Sequence, residues 1–254
     1  MASDDGILAA LGDEHAELAS LLTGLEAPAW DLPSRCEGWT VSDVVLHLAQ
    51  TDELAVASIS GRFGERVQAL AGGDEPGSSV DDGAARLVAR ERGQPPDAVY
   101  LRWLTGTEEL RKAIGGADLH QRVTWVAGPV SVQTLATTRL AETWIHSGDI
   151  AAAVGIELRP TNRLRHIARL AWRTLPYAFS SAGQALTGPV AFRLASPGGD
   201  VWEFVPDEPA LTTITGPAAD LCSVAGRRLP ASGPSPRREL ADAEAVLALV
   251  RTYA

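Results

Sequence analysis

Leu8, Leu11, Leu18, Leu22 and Leu25 recur close to a 3.6-residue period, so residues 5–25 are expected to form an amphipathic helix that Pro28 and Pro33 bring to an end. Thr40 precedes a second periodic run and has Asp43 three positions on, which approximates a capping box and starts a helix near Val41. Val44, Val45, Leu48, Ala55, Val56 and Ile59 carry its inward face. Gly72 to Ser79 reads as a loop, followed by a helix around Asp81 to Arg92, and Pro95-Pro96 breaks the chain again. A third long helix runs from Asp97 to Ile114, with Val99, Trp103, Leu110 and Ile114 inward and Gly115-Gly116 closing it. A fourth spans Ser131 to Val154. Four long helices, each with one apolar stripe to bury, predict an antiparallel four-helix bundle.

Past Gly155 the pattern changes. Pro160 to Phe179 reads as one more helix, but Val190 to Leu194, the turn Pro197-Gly198-Gly199-Asp200, and Val201 to Val205 read as a β-hairpin. Leu211 to Thr215 supplies a third strand, Gly216-Pro217 a turn, and helices over Ala218–Arg228 and Asp242–Tyr253 follow, with Pro230 to Pro236 as a linker between them. The fold class is therefore α+β: a helical bundle over residues 1–155 and a small α+β domain over 156–254.

Composition narrows the function. With 254 residues and 45% apolar content the chain can fill the cores of two small domains. A net charge of −10 repels nucleic-acid backbones and anionic lipid, so neither is expected as a partner. Residues 1–5 lack the basic and apolar segments of a signal peptide, no apolar run is long enough for a bilayer, and the two cysteines give no disulfide framework. A cytoplasmic monomer or homodimer acting on a small molecule is the expectation. Lys112 is the only lysine among 22 basic residues, a bias that fits a GC-rich genome such as an actinobacterial one.

The chemistry gathers on the fourth helix. Leu135, Arg139, Glu142, His146 and Asp149 recur at spacings of four, three, four and three, which puts the polar members on one stripe. A solvent-facing stripe is the plain explanation, but Trp144, Ile145 and Ile150 flank it and a bundle buries a broad face. Glu142 and His146, at i and i+4, lie close enough to share one cation, and His47 sits near the apolar face of the second helix, where it can meet them across the core. A hydrogen-bonded core histidine and a helix-stabilising Glu–His pair account for the same residues. Cys36 enters the His47 helix, but no histidine adjoins it in sequence, so it reads as a small packed residue; Cys222 lies on an apolar face and reads as core. His15 reads as a core or boundary histidine, with an added ligand as the alternative. His120 and His166 carry no pattern, and Trp39, Trp103 and Trp144 read as packing.

Two segments carry a resemblance. Cys36-Glu37-Gly38-Trp39-Thr40-Val41-Ser42-Asp43-Val44-Val45-Leu46-His47-Leu48-Ala49 resembles the opening of the second helix in the mycothiol-dependent maleylpyruvate isomerase family, part of the DinB-like superfamily. Thr138-Arg139-Leu140-Ala141-Glu142-Thr143-Trp144-Ile145-His146-Ser147-Gly148-Asp149-Ile150 is similar to that family's fourth helix. The stretch from Arg159 through Gly216-Pro217-Ala218-Ala219-Asp220-Leu221-Cys222 resembles an actinobacterial branch known as metal-binding. The resemblance implies His47, Glu142 and His146 as ligands of a divalent cation, zinc first, with Fe(II) or Ni(II) served by the same set. Three ligands leave positions open, as in catalytic sites. The activity implied is isomerisation or S-transfer on a small molecule with mycothiol as thiol cosubstrate. A thiol-independent isomerase, cyclase or hydrolase and a non-enzymatic, metal-stabilised binding module are the alternatives. Asp149 is placed to orient the His146 ring or meet substrate, and Arg139 to bind a substrate carboxylate or to pair with Glu142 or Asp149.

Overall fold

The computed structural model describes residues 6–72, 79–231, 237–239 and 242–252. Residues 1–5, most of the expected 72–79 loop and most of the 230–236 linker lie outside that set. The chain divides into two units, Met1–Leu158 and Arg159–Ala254.

The first unit runs α1 (Gly6–Thr23), a 3₁₀ turn (Ala27–Asp31), α2 (Val41–Ile59), α3 (Phe63–Ala71), α4 (Val80–Glu91), α5 (Pro96–Gly115), β1 (Arg122–Val123), β2 (Val130–Ser131) and α6 (Val132–Ala153). The long helices α1 and α2 each pack on both α5 and α6, while α3 and α4 lie against α2. The apolar stripes meet at Leu18, Val44, Val45, Leu48, Val99, Trp103 and Ile150, all essentially withdrawn from water. Helix α3 and the β1–β2 pair have no counterpart in the sequence reading. In α3, nine residues long, Phe63, Val67 and Leu70 fall at helical spacing but only Leu70 is fully buried, a short stripe that the sequence reading passed over. The β1–β2 ladder has two residues on each side, too short for an alternation.

The start of α2 is fixed by its cap. Thr40 Oγ accepts from the Asp43 backbone N–H at 3.2 Å, and Asp43 Oδ2 accepts in return from Thr40 N–H at 3.0 Å. Arg92 closes on Asp43 from α4's end, donating from Nη2 at 2.6 Å and from Nε at 3.2 Å. Since this cap sets the first turn of the helix that carries His47, Thr40→Ala is expected to cost about 1 kcal/mol, read as a lowered urea midpoint at unchanged slope.

Helix α6 is buried nearly all round, and that includes its polar stripe: Arg139 is 1% exposed, Glu142 8%, His146 7% and Asp149 0%. The solvent-facing explanation of the stripe is thereby removed. A helix apolar or polar on every side has little amphipathic contrast, which is why its inward face was hard to choose from sequence.

The second unit is α+β: α7 (Leu164–Arg173), α8 (Leu175–Ser181), β3 (Val190–Ala195), β4 (Val201–Phe204), β5 (Thr212–Pro217), α9 (Ala218–Ala225), β6 (Arg237–Glu239) and α10 (Ala243–Leu249). The single helix expected over 160–179 is two. Pro176 has no N–H for the carbonyl of Trp172, so α7 stops at Thr174 and α8 begins with Pro176 in its first turn, where no donor is needed. The strands form one sheet in the order β4-β3-β5-β6. β3 and β4 make the expected hairpin, with Leu194 opposite Trp202, and β5 joins β3 in parallel, with Ile214 opposite Phe192. Ile167, Phe192, Leu194, Ile214, Leu221 and Cys222 make its core.

Candidate metal centre

Packing of α2 against α6 brings His47 to Glu142 and His146. His47 Nε2 lies 3.0 Å from Glu142 Oε2, and His146 Nε2 lies 3.5 Å from the same oxygen. The two imidazoles meet edge to face with centroids 5.1 Å apart, and Trp39 tilts against His47 at 5.1 Å. One donor atom from each of the three residues falls within 4.8 Å of the others, and all three side chains are buried. Donors bound at about 2.0–2.2 Å around one tetrahedral cation stand about 3.4 Å apart. Two imidazole nitrogens and a carboxylate at these separations fit a divalent cation.

On the other side of the His146 ring, Nδ1 lies 3.0 Å from Asp149 Oδ2. Cys36 Sγ donates to that same carboxylate oxygen at 3.3 Å and stands 3.7 Å from Nδ1. Sequence reasoning set Cys36 aside because its histidine is 110 residues away along the chain. The available signal was the loop it occupies, immediately before the helix that carries His47.

Charge balance follows from these contacts. Burial alone would push the Glu142 carboxyl up, but hydrogen bonds from His146 and His47 hold it well below the usual range. Burial would lower His146, yet Asp149, Cys36 and Glu142 outweigh it and hold its proton well above the ordinary histidine value. Burial wins at His47, which stays below that value despite its bond to Glu142.

Arg139 makes its bonds behind the triad rather than into it. Its Nε donates to Asp52 Oδ1 at 3.0 Å and its Nη2 to Thr51 Oγ1 at 2.8 Å, while Nη1 lies 4.0 Å from Glu142 Oε2. The strong partner is thus Asp52 of α2, in place of the expected Asp149 or Glu142. Burial raises the Asp52 carboxyl to about 6, with the pull of Arg139 working against it. His15 is buried with its edge-to-face neighbour Trp103 at 6.1 Å, and burial lowers it to about 3, so it is a neutral core histidine. Neither of its ring nitrogens has a hydrogen-bond partner among the described residues. Cys222 is buried in the second unit, its thiol pushed up by burial and bonded to the Leu164 carbonyl.

The mycothiol maleylpyruvate isomerase N-terminal domain matches residues 11–151. An uncharacterized protein found in two strains of Mycobacterium tuberculosis is 31% identical over 229 residues, covering 90% of this chain and 87% of the relative. Among solved structures, the mycothiol-dependent maleylpyruvate isomerase superposes with a TM-score of 0.62 at 18% identity over 93% of this chain and 92% of that one. A histidine-to-alanine mutant of such an isomerase gives 0.59 at 19%, over 89% and 90%. The structural likeness speaks for the fold; the domain match covers both helices that carry the three donors, and the chain belongs to the mycothiol maleylpyruvate isomerase N-terminal domain family.

Proposed function

We propose that the first unit is a four-helix bundle that holds a divalent cation, zinc first, on His47, Glu142 and His146, and that the protein is a cytoplasmic enzyme using mycothiol in an isomerisation or thiol S-transfer reaction on a small molecule. The observation that carries this reading is the convergence of three donor atoms on one buried point from helices whose ligands are 95 residues apart. Family membership and the name of the superposable isomerase support the thiol.

The chain's own residues divide the work. His47 and His146 present Nε2 to the shared point, and Glu142 brings the negative charge. Asp149 accepts the His146 Nδ1 proton, which fixes the tautomer that leaves Nε2 to face the cation. The Arg139 guanidinium, itself fixed by Asp52, stands behind Glu142 and limits its swing. Trp39 covers one face of His47 and keeps water from that side. A divalent cation bound there supplies Lewis acidity toward a substrate carbonyl and lowers the pKa of a bound thiol.

The test is elemental analysis of wild type beside His47→Ala and Glu142→Ala, then turnover of maleylpyruvate by metal-loaded protein with and without mycothiol. At least one metal per chain in wild type, one fewer in each variant, and thiol-dependent turnover are expected. Metal-dependent turnover that ignores the thiol would transfer the protein to a thiol-independent chemistry. Wild-type protein that cannot be loaded with any divalent cation would overturn the reading.

A further inference from the structure

The His146 ring is used on both sides, and the second side has the makings of a site of its own. Cys36 Sγ, His146 Nδ1 and Asp149 Oδ2 lie within 4.8 Å of one another, at separations of 3.7, 3.3 and 3.0 Å. A tetrahedral zinc with bonds of about 2.3 Å to sulfur and 2.0–2.2 Å to nitrogen and oxygen sets its donors about 3.4–3.6 Å apart. The three atoms need to move by only a few tenths of an ångström to meet that geometry.

The sulfur is held in place by its loop. Ser34 Oγ accepts from the Cys36 N–H at 3.1 Å and donates to the Trp39 carbonyl at 2.9 Å, and Trp39 N–H returns to the Cys36 carbonyl at 3.0 Å. The turn passes through Gly38 at φ +75°, a conformation that favours glycine, and the Gly38 carbonyl is gripped by Arg92, which also holds Asp43 at the head of α2. The loop that presents the thiol and the helix that presents His47 are therefore fixed to one another. His146 and Asp149 are buried, and Cys36 is half-buried.

We infer that Cys36, Asp149 and His146 Nδ1 form a second cation-binding group that takes a thiophilic divalent ion such as Zn²⁺ or Cd²⁺. Sulfur, nitrogen and one carboxylate suit such ions better than Mg²⁺ or Ca²⁺. Thiolate and carboxylate together neutralise the dication. On binding, the Cys36 S–H bond breaks and its proton goes to solvent as the sulfur–metal bond forms. The His146 Nδ1 proton goes to solvent as well, Nε2 keeping its own proton where no cation faces it; no electron changes hands. The inference goes beyond the proposed function, since it shares one ring with that site but requires neither His47 nor Glu142.

Cadmium titration followed by the ultraviolet sulfur-to-cadmium charge-transfer band tests it, on wild type, Cys36→Ser and His47→Ala, each first shown to keep its far-ultraviolet circular dichroism. Wild type and His47→Ala should develop the band to saturation, and Cys36→Ser should lose it. Asp149→Asn, which keeps the shape of the group, should need at least about tenfold more cadmium to reach the same signal. Cadmium bound by wild type without a thiolate band overturns the inference while leaving the His47 site intact. An equal band in Cys36→Ser overturns it as well, because the sulfur would then be Cys222.

Discussion

His146→Ala is expected to abolish stoichiometric metal while leaving the first unit helical. The ring serves the Glu142 side through Nε2 and the Asp149–Cys36 side through Nδ1, so its loss removes a ligand from both groups at once. Substituting a mere supporting neighbour of a metal ligand costs about 10–100-fold in affinity, and the loss of a direct ligand should exceed that range. Helicity should survive because α6 is anchored by Leu135, Leu140, Ile145 and Ile150, which the substitution does not touch. Elemental analysis beside far-ultraviolet circular dichroism decides the matter, and retention of wild-type metal by the variant would remove His146 from the ligand set.

The second large effect is one of stability. Arg139 and Asp52 are an ion pair with side chains 1% and 0% exposed, joined at 3.0 Å. Removing Arg139 leaves Asp52 without its counterion in a medium that cannot solvate its charge, so Arg139→Met is expected to cost about 3–5 kcal/mol, read from the urea midpoint of metal-free protein. The double variant Arg139→Met, Asp52→Leu should recover most of that loss, because two apolar side chains of similar volume replace the pair without a stranded charge. A single-variant loss below about 1 kcal/mol would mean that water reaches Asp52, whose second oxygen has no hydrogen-bond partner among the described residues.

What was legible in the sequence was whatever repeats locally. The leucines of α1, the Thr40–Asp43 cap of α2 and the hairpin turn between β3 and β4 each announce themselves within a few residues, and each is present. The candidate ligands on α6 were legible as a spacing, but spacing cannot say what a side chain meets from another element. Arg139 was weighed against Glu142 and Asp149, its neighbours on the same helix, when its partner is Asp52, 87 residues back on α2. Cys36 was discounted for the same reason. His47 could be placed on the apolar face from which it can reach Glu142 and His146, but choosing those three as a ligand set took the family resemblance, since nothing local in either helix encodes their meeting. Helix α3 shows the opposite limit: Phe63, Val67 and Leu70 do recur at helical spacing, but over only nine residues, with Leu70 alone fully buried, and the reading passed over them.

The distance along the chain between His47 and Glu142 also has a consequence in time. At a synthesis rate of about 5–20 residues per second, the 95 residues between them take about 5–20 s to emerge. Throughout that interval α2 exists on the ribosome with Val44, Val45 and Leu48 wanting cover and with one donor of its site in place. Its partner α5 arrives first and can shelter that face, so the nascent unit gains a hydrophobic seat before α6 delivers the remaining donors. A cation is therefore met only by a nearly finished domain, and a ribosome stalled before α6 should carry a compact chain with no power to retain metal at His47.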